Sequence, residues 1–124
     1  MEFVKKILAV DDDLAVLEYL QAKLGGDYTV ITTHLPSAVL SLARQEKPDL
    51  IICDIDMPGA DGGDVAASLA GDPATRSIPI LYLTAILSQD EARDLGGIVG
   101  GRPGISKHAP AKELVARIRS MIPG

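Results

Sequence analysis

Two acidic clusters carry most of the chemistry this sequence can offer. Asp11-Asp12-Asp13 closes the apolar run Ile7-Leu8-Ala9-Val10, and Asp54-Ile55-Asp56 closes Leu50-Ile51-Ile52-Cys53. One more apolar run, Ile80-Leu81-Tyr82-Leu83, ends at Thr84, and a weak fifth strand, Ile105-Ser106, ends at Lys107. Carboxylates brought close together repel, and each raises the other's pKa unless a cation intervenes. A hard divalent ion held by a few carboxylates and several waters fits Mg²⁺ better than Zn²⁺, and no His/Cys cluster competes for the assignment. Such an ion keeps positions open for phosphoryl oxygens. Asp54 is then placed to attack phosphorus and form an acyl phosphate, with Thr84 and Lys107 holding the other oxygens.

The charge balance points to the same residues. The chain has 124 residues, a net charge of −5, and 17 acidic residues against 12 basic ones. Five of the acids lie in the two clusters, and without them acids and bases balance. An acidic chain with no basic stripe and only four aromatics (Phe3, Tyr19, Tyr28, Tyr82) is not expected to bind nucleic acid directly. The single cysteine, Cys53, excludes an internal disulfide and fits a reducing compartment. With no apolar run near a membrane span or a signal-peptide core, the expected location is cytoplasmic, away from membranes.

The positioning elements follow from the hydrophobic pattern. The apolar runs predict strands buried on both faces, and Tyr28-Thr29-Val30-Ile31-Thr32 predicts another from its β-branched content. Leu14, Leu17, Leu20 and Leu24 predict a helix capped by Asp13 and stopped at Gly25-Gly26. Further helices are expected from about Pro36 to Gln45, over Asp64–Ala70 and Asp90–Leu95, and from near Pro110. Five strand–helix units in alternation predict an α/β fold, a flavodoxin-like (βα)5 doubly wound arrangement. Its five-stranded parallel sheet has order 2-1-3-4-5 and helices on both faces. No linker or repeat divides the chain, so residues 1–124 are expected to be one domain.

Ligands of such sheets bind beyond the carboxyl ends of the strands, where the strand order reverses. That point lies between the first and third strands, about 4.8 Å apart. Asp11 and Asp12 therefore meet Asp54 there, with Thr84 and Lys107 beside them.

With these residues in place, the chain resembles a response-regulator receiver domain of the CheY-like, two-component signalling family. The likeness runs from Ile7-Leu8-Ala9-Val10-Asp11-Asp12 to the final helix. It is strongest at Pro48-Asp49-Leu50-Ile51-Ile52-Cys53-Asp54-Ile55-Asp56-Met57-Pro58-Gly59, with Asp61-Gly62 after it, and at Ile78-Pro79-Ile80 leading to Leu83-Thr84-Ala85. The resemblance implies that Asp54 is the phosphoacceptor for a sensor histidine kinase or histidine phosphotransfer protein. It implies that Asp11, Asp12 and Asp54 hold Mg²⁺, completed by the backbone carbonyl of Asp56. Thr84 would be the hydroxyl that moves onto the phosphoryl group, and Lys107 its ion-pair partner. The output is a changed partner-binding face, read by a downstream protein or by a further domain.

Three positions depart from the family pattern. His108 follows Lys107 where the family usually has proline, so a trans bond is expected there. Gly104 replaces the aromatic residue usual three positions before the lysine, which removes a swinging ring as the output device. Mobility of the glycine-rich Gly96–Gly104 stretch is the expected substitute. Asp56 and Ile86 border the path of an attacking water and are expected to act in opposite senses.

Asp13 is expected as a helix cap, Asp61 and Asp64 as loop and helix-start residues, His34 and His108 as surface imidazoles, and Cys53 as a packed strand residue. Two other functions compete with phosphoacceptance. A degenerate receiver would bind partners without phosphorylation. Alternatively, Asp54-Ile55-Asp56 would be the DxD nucleophile of a haloacid-dehalogenase-like phosphatase, which needs more chain after the motif.

Overall fold

Strands that are apolar on both sides must be covered on both sides, and the helices between them do this. A computed structural model describes residues 4–57 and 62–122; Pro58, Gly59 and Asp61 of the expected motif lie outside the described residues. The chain runs β1 (Lys6–Val10), α1 (Leu14–Leu24), β2 (Thr29–Thr33), a 3₁₀ turn at Pro36–Ala38, α2 (Val39–Glu46) and β3 (Leu50–Asp54). It continues through α3 (Gly62–Ala70), β4 (Ile80–Thr84), α4 (Gln89–Asp94), β5 (Ile98–Val99), β6 (Arg102–Ser106) and α5 (Ala111–Met121). No described helix is long and apolar enough to cross a membrane.

Alternate strand residues feed two cores. Ile7, Ala9, Leu50, Ile52, Leu81, Leu83 and Ile105 pack against α1 and α5 through Leu17, Leu20, Leu24, Leu114 and Ile118. Leu8, Val10, Ile51, Cys53, Ile80 and Tyr82 point the other way, onto Val39 and Ala43 of α2 and Val65, Ala66 and Leu69 of α3. Each fully buried Leu or Ile contributes roughly 1.5–3 kcal/mol, so these two layers hold the strand register firmly. Cys53 is a buried strand residue, as expected. Leu14 is not part of the core: it begins α1 and is 59% exposed.

The sheet order is β2-β1-β3-β4-β6-β5. The first four strands fall as expected, and β6 takes the fifth place, parallel to β4. A sixth strand corrects the five-strand expectation. β5 pairs antiparallel with β6, Ile98 opposite Pro103 and Val99 opposite Arg102. Gly100 and Gly101 link them with φ of +58° and +80°. A two-residue hairpin turn of the type I′ kind, whose twist matches the strands, has positive φ at both central residues, which glycine adopts without strain. The glycine-rich stretch is thus a hairpin, held also by Arg117 Nη2 donating to the Gly97 carbonyl at 2.7 Å.

Gly104 has a packing reason as well. A β-carbon there would lie 2.6 Å from Cγ2 of Val99 and 2.7 Å from its Cβ. Val99 of the hairpin therefore occupies the space that a side chain at position 104 would need. Gly104→Ala is expected to destabilise the protein by about 2 kcal/mol through overpacking. That cost should shrink when Val99 is replaced by Gly in the same chain, as read from urea unfolding midpoints of the double-mutant cycle.

Candidate functional site

Register brings the chemistry together. Val10 lies opposite Cys53, so Asp11 leaves β1 beside Asp54 at the end of β3. Asp54 lies opposite Leu83, one residue before Thr84. Thr84 lies opposite Ser106, so Lys107 leaves the sheet one step beyond it, its amide donating to the Thr84 carbonyl at 2.8 Å. Every residue expected at the site on sequence grounds thus lies at one end of the sheet.

Asp11, Asp12 and Asp54 each offer a carboxylate oxygen, and these oxygens lie within 4.8 Å of one another. Asp11 and Asp54 are buried, while Asp12 is exposed. Asp11 Oδ1 accepts from the Asp13 amide at 2.9 Å, and Asp54 Oδ1 accepts from the Asp56 amide at 2.9 Å. Lys107 Nζ bridges the other two oxygens, 2.8 Å from Asp11 Oδ2 and 3.2 Å from Asp54 Oδ2. Asp13 is the expected cap of α1, its side chain accepting from the Ala15 amide at 2.9 Å.

These neighbours explain the ionisation of the pair. Burial is the main force raising the Asp54 pKa from 3.8 to about 6, aided by the charge of Asp11. The Asp56 amide and the Lys107 ammonium oppose it without reversing it. For Lys107, burial alone would lower the pKa, but hydrogen bonds and charges from Asp11 and Asp54 outweigh that and raise it. Lys107 is therefore a fixed positive charge in a pocket where negative charge is in excess.

Thr84 and the Asp56 side chain are partners in this resting site. The Thr84 hydroxyl is buried and donates to Asp56 Oδ2 at 3.1 Å, not toward Asp54. The same oxygen accepts from the Ala85 amide at 3.0 Å, and the Ile86 amide donates to Thr84 Oγ1 at 3.2 Å. The Asp56 side chain, considered only as a neighbour of attacking water, is a structural partner of the β4 end. Ile86 is 77% exposed beside it.

Sequence reasoning also passed over Ser106 and Gln89. Ser106 is buried; its Oγ donates to the Leu87 carbonyl at 2.6 Å and accepts from the His108 amide at 3.0 Å. Gln89 Oε1 accepts from the Ser106 amide at 3.2 Å. His108 is exposed, as expected, with Nε2 3.2 Å from the Ala85 carbonyl, and its preceding peptide bond is trans. These contacts tie the loop carrying Lys107 to the loop after Thr84.

The donor set suits a hard cation. Three acceptor-only carboxylates converge, and buried Asp11 Oδ2 takes no aligned hydrogen bond, only the ammonium beside it. Oxygen donors of this kind favour Mg²⁺, which keeps several waters and binds few carboxylates.

The family model for the response regulator receiver domain matches residues 7–119. Response regulator PleD of Caulobacter vibrioides is 37% identical over 118 residues, covering 94% of this chain and 26% of PleD. Response regulator MprA of Mycobacterium tuberculosis is 36% identical over 118 residues, covering 94% of this chain and 50% of MprA. The chain thus spans half or less of the length of these relatives. Among solved structures, a response regulator from Desulfuromonas acetoxidans aligns with a TM-score of 0.77 at 29% identity, covering 94% of each chain. The chemotaxis protein CheY4 of Vibrio cholerae aligns at 0.80 and 25% identity, covering 96% of this chain and 99% of that one.

The raised Asp54 pKa has a consequence for stability. The folded state holds this proton more tightly than the unfolded state, so its contribution is full below pH 3.8 and is lost as pH rises through about 6. In metal-free protein, Asp54→Asn should flatten that decline and raise stability at pH 7.5 by about 1–3 kcal/mol. Urea unfolding in chelator across pH 4–8 checks this, and an unaltered slope would contradict it.

Proposed function

Because the chain belongs to the response regulator receiver domain family, we propose that Asp54 accepts a phosphoryl group from a sensor histidine kinase or a histidine phosphotransfer protein. The observation that carries this reading is the buried Asp54 carboxylate, with Lys107 Nζ 3.2 Å from one oxygen and the Asp11 and Asp12 carboxylates beside it. An Asp54 oxygen forms the new P–O bond as the bond from phosphorus to the donor imidazole nitrogen breaks, and the imidazole leaves with the electron pair. The product is an acyl phosphate on Asp54.

Each residue has a part in this step. The Asp56 amide holds Asp54 Oδ1 and so orients the carboxylate. Lys107, largely buried and held by Asp11 and Asp54, compensates charge on the transferring group as a preorganised cation. Asp11, Asp12 and Asp54 would hold Mg²⁺, with the Asp56 backbone carbonyl as a further ligand. When bound, the ion neutralises charge on the carboxylates and phosphoryl oxygens. Thr84 moves from its resting partner onto the new phosphoryl group. Residues 1–124 act as one receiver domain, and the changed surface is read by a downstream protein or by a further domain.

Incubation with acetyl phosphate and Mg²⁺ should add about 80 Da to the intact mass, the weight of one phosphoryl group. Asp54→Asn should show no adduct, and chelation of Mg²⁺ should suppress it. A native wild-type protein without any adduct would overturn the reading.

A further inference from the structure

The resting place of Thr84 supports an inference that rests on the phosphoacceptor reading and deepens it. One anionic oxygen, Asp56 Oδ2, holds two donors from the end of β4: the Thr84 hydroxyl at 3.1 Å and the Ala85 amide at 3.0 Å. The hydroxyl proton is committed to Asp56, because the Ile86 amide approaches Thr84 Oγ1 from outside as a donor at 3.2 Å. The Asp56 backbone meanwhile holds Asp54 Oδ1. A three-residue segment therefore presents the phosphoacceptor at one end and a rival anion at the other.

We propose that the Asp56 carboxylate is a resident anion that keeps the Thr84 hydroxyl and the Ala85 amide engaged until a phosphoryl group on Asp54 competes for them, and so sets the resting bias of the domain. Asp56 is in this sense a positioning residue that acts through Thr84 and Ala85. Two effects drive the exchange. A phosphoryl group brings about −1.5 to −2 charges and three strong acceptor oxygens, and it also repels the nearby Asp56 carboxylate. The exchange is transmitted because the Thr84 carbonyl accepts from the Lys107 amide and the Ala85 carbonyl lies 3.2 Å from His108 Nε2. Movement of these two residues therefore pulls on the loop between β6 and α5.

The test compares wild type, Asp56→Asn and Asp56→Ala by amide NMR, beryllofluoride titration in Mg²⁺, and intact mass after acetyl phosphate. With the rival anion neutralised or removed, the Ala85 and Ile86 amide resonances of unliganded protein should move toward their beryllofluoride-bound positions. Half-saturation by beryllofluoride should fall about tenfold, the worth of one charge-assisted hydrogen bond. Asp56→Asn, which keeps an uncharged acceptor, should fall between wild type and Asp56→Ala. The gain should shrink in a Thr84→Ala background, since the hydroxyl carries part of it.

Unmoved Ala85 and Ile86 resonances with unchanged half-saturation would overturn the inference. So would a gain retained in full without the Thr84 hydroxyl, which would mark simple charge repulsion. Acetyl phosphate separates this failure from that of the parent reading. An adduct on every protein with no change in affinity defeats the resident-anion role alone. No adduct on wild type or on either variant defeats phosphoacceptance and the inference with it.

Discussion

The ammonium of Lys107, seated between Asp11 and Asp54, is the interaction on which the site depends. Two buried carboxylates at this spacing are unstable as a pair of charges, because burial removes the water that would screen them. Lys107 supplies the compensating charge, 2.8 Å from one and 3.2 Å from the other. Three carboxylates still face this one ammonium, and burial, more than the charge of Asp11, raises the Asp54 pKa. A pocket left short of positive charge favours a divalent cation at its exposed rim, where Asp12 stands.

The sheet makes that arrangement possible. Parallel strands with apolar faces on both sides fix register tightly, since a one-residue slip would exchange the two cores. With Val10 opposite Cys53 and Thr84 opposite Ser106, groups from four parts of the chain arrive at one edge. The loops are then cross-linked by polar contacts. Ser106 reaches the Leu87 carbonyl, and His108 reaches the Ala85 carbonyl, so the lysine loop and the threonine loop form one unit.

Much of this was legible in the residues themselves. Continuous apolar runs ending in Asp or Thr marked three strand ends, Ile105-Ser106 before Lys107 marked another weakly, and the order of those ends located the site. Strand β5 was missed because two residues are too few to show a pattern, although Gly100-Gly101 is itself a hairpin-turn signal. The Ser88 and Glu91 capping box that starts α4 was also present in the sequence and was overlooked. The contacts of the Asp56 side chain could not be read locally. They depend on how far β3 and β4 extend relative to each other, which only the packed sheet decides. Leu14 misled in the opposite way: it keeps the apolar spacing of α1 but sits at the helix start, beyond the sheet's cover.

Three carboxylates and one ammonium form a pocket whose donor set suits a divalent cation. Counting the protons released when Mg²⁺ is titrated into the protein, at a series of pH values, tests this fit most directly. Saturable binding at one site is predicted, with release of up to about one proton below pH 6, fading to none by pH 8, as the ion displaces the Asp54 proton into solvent. Binding without proton release at any pH, or no Mg²⁺ binding by the folded protein, would contradict the account.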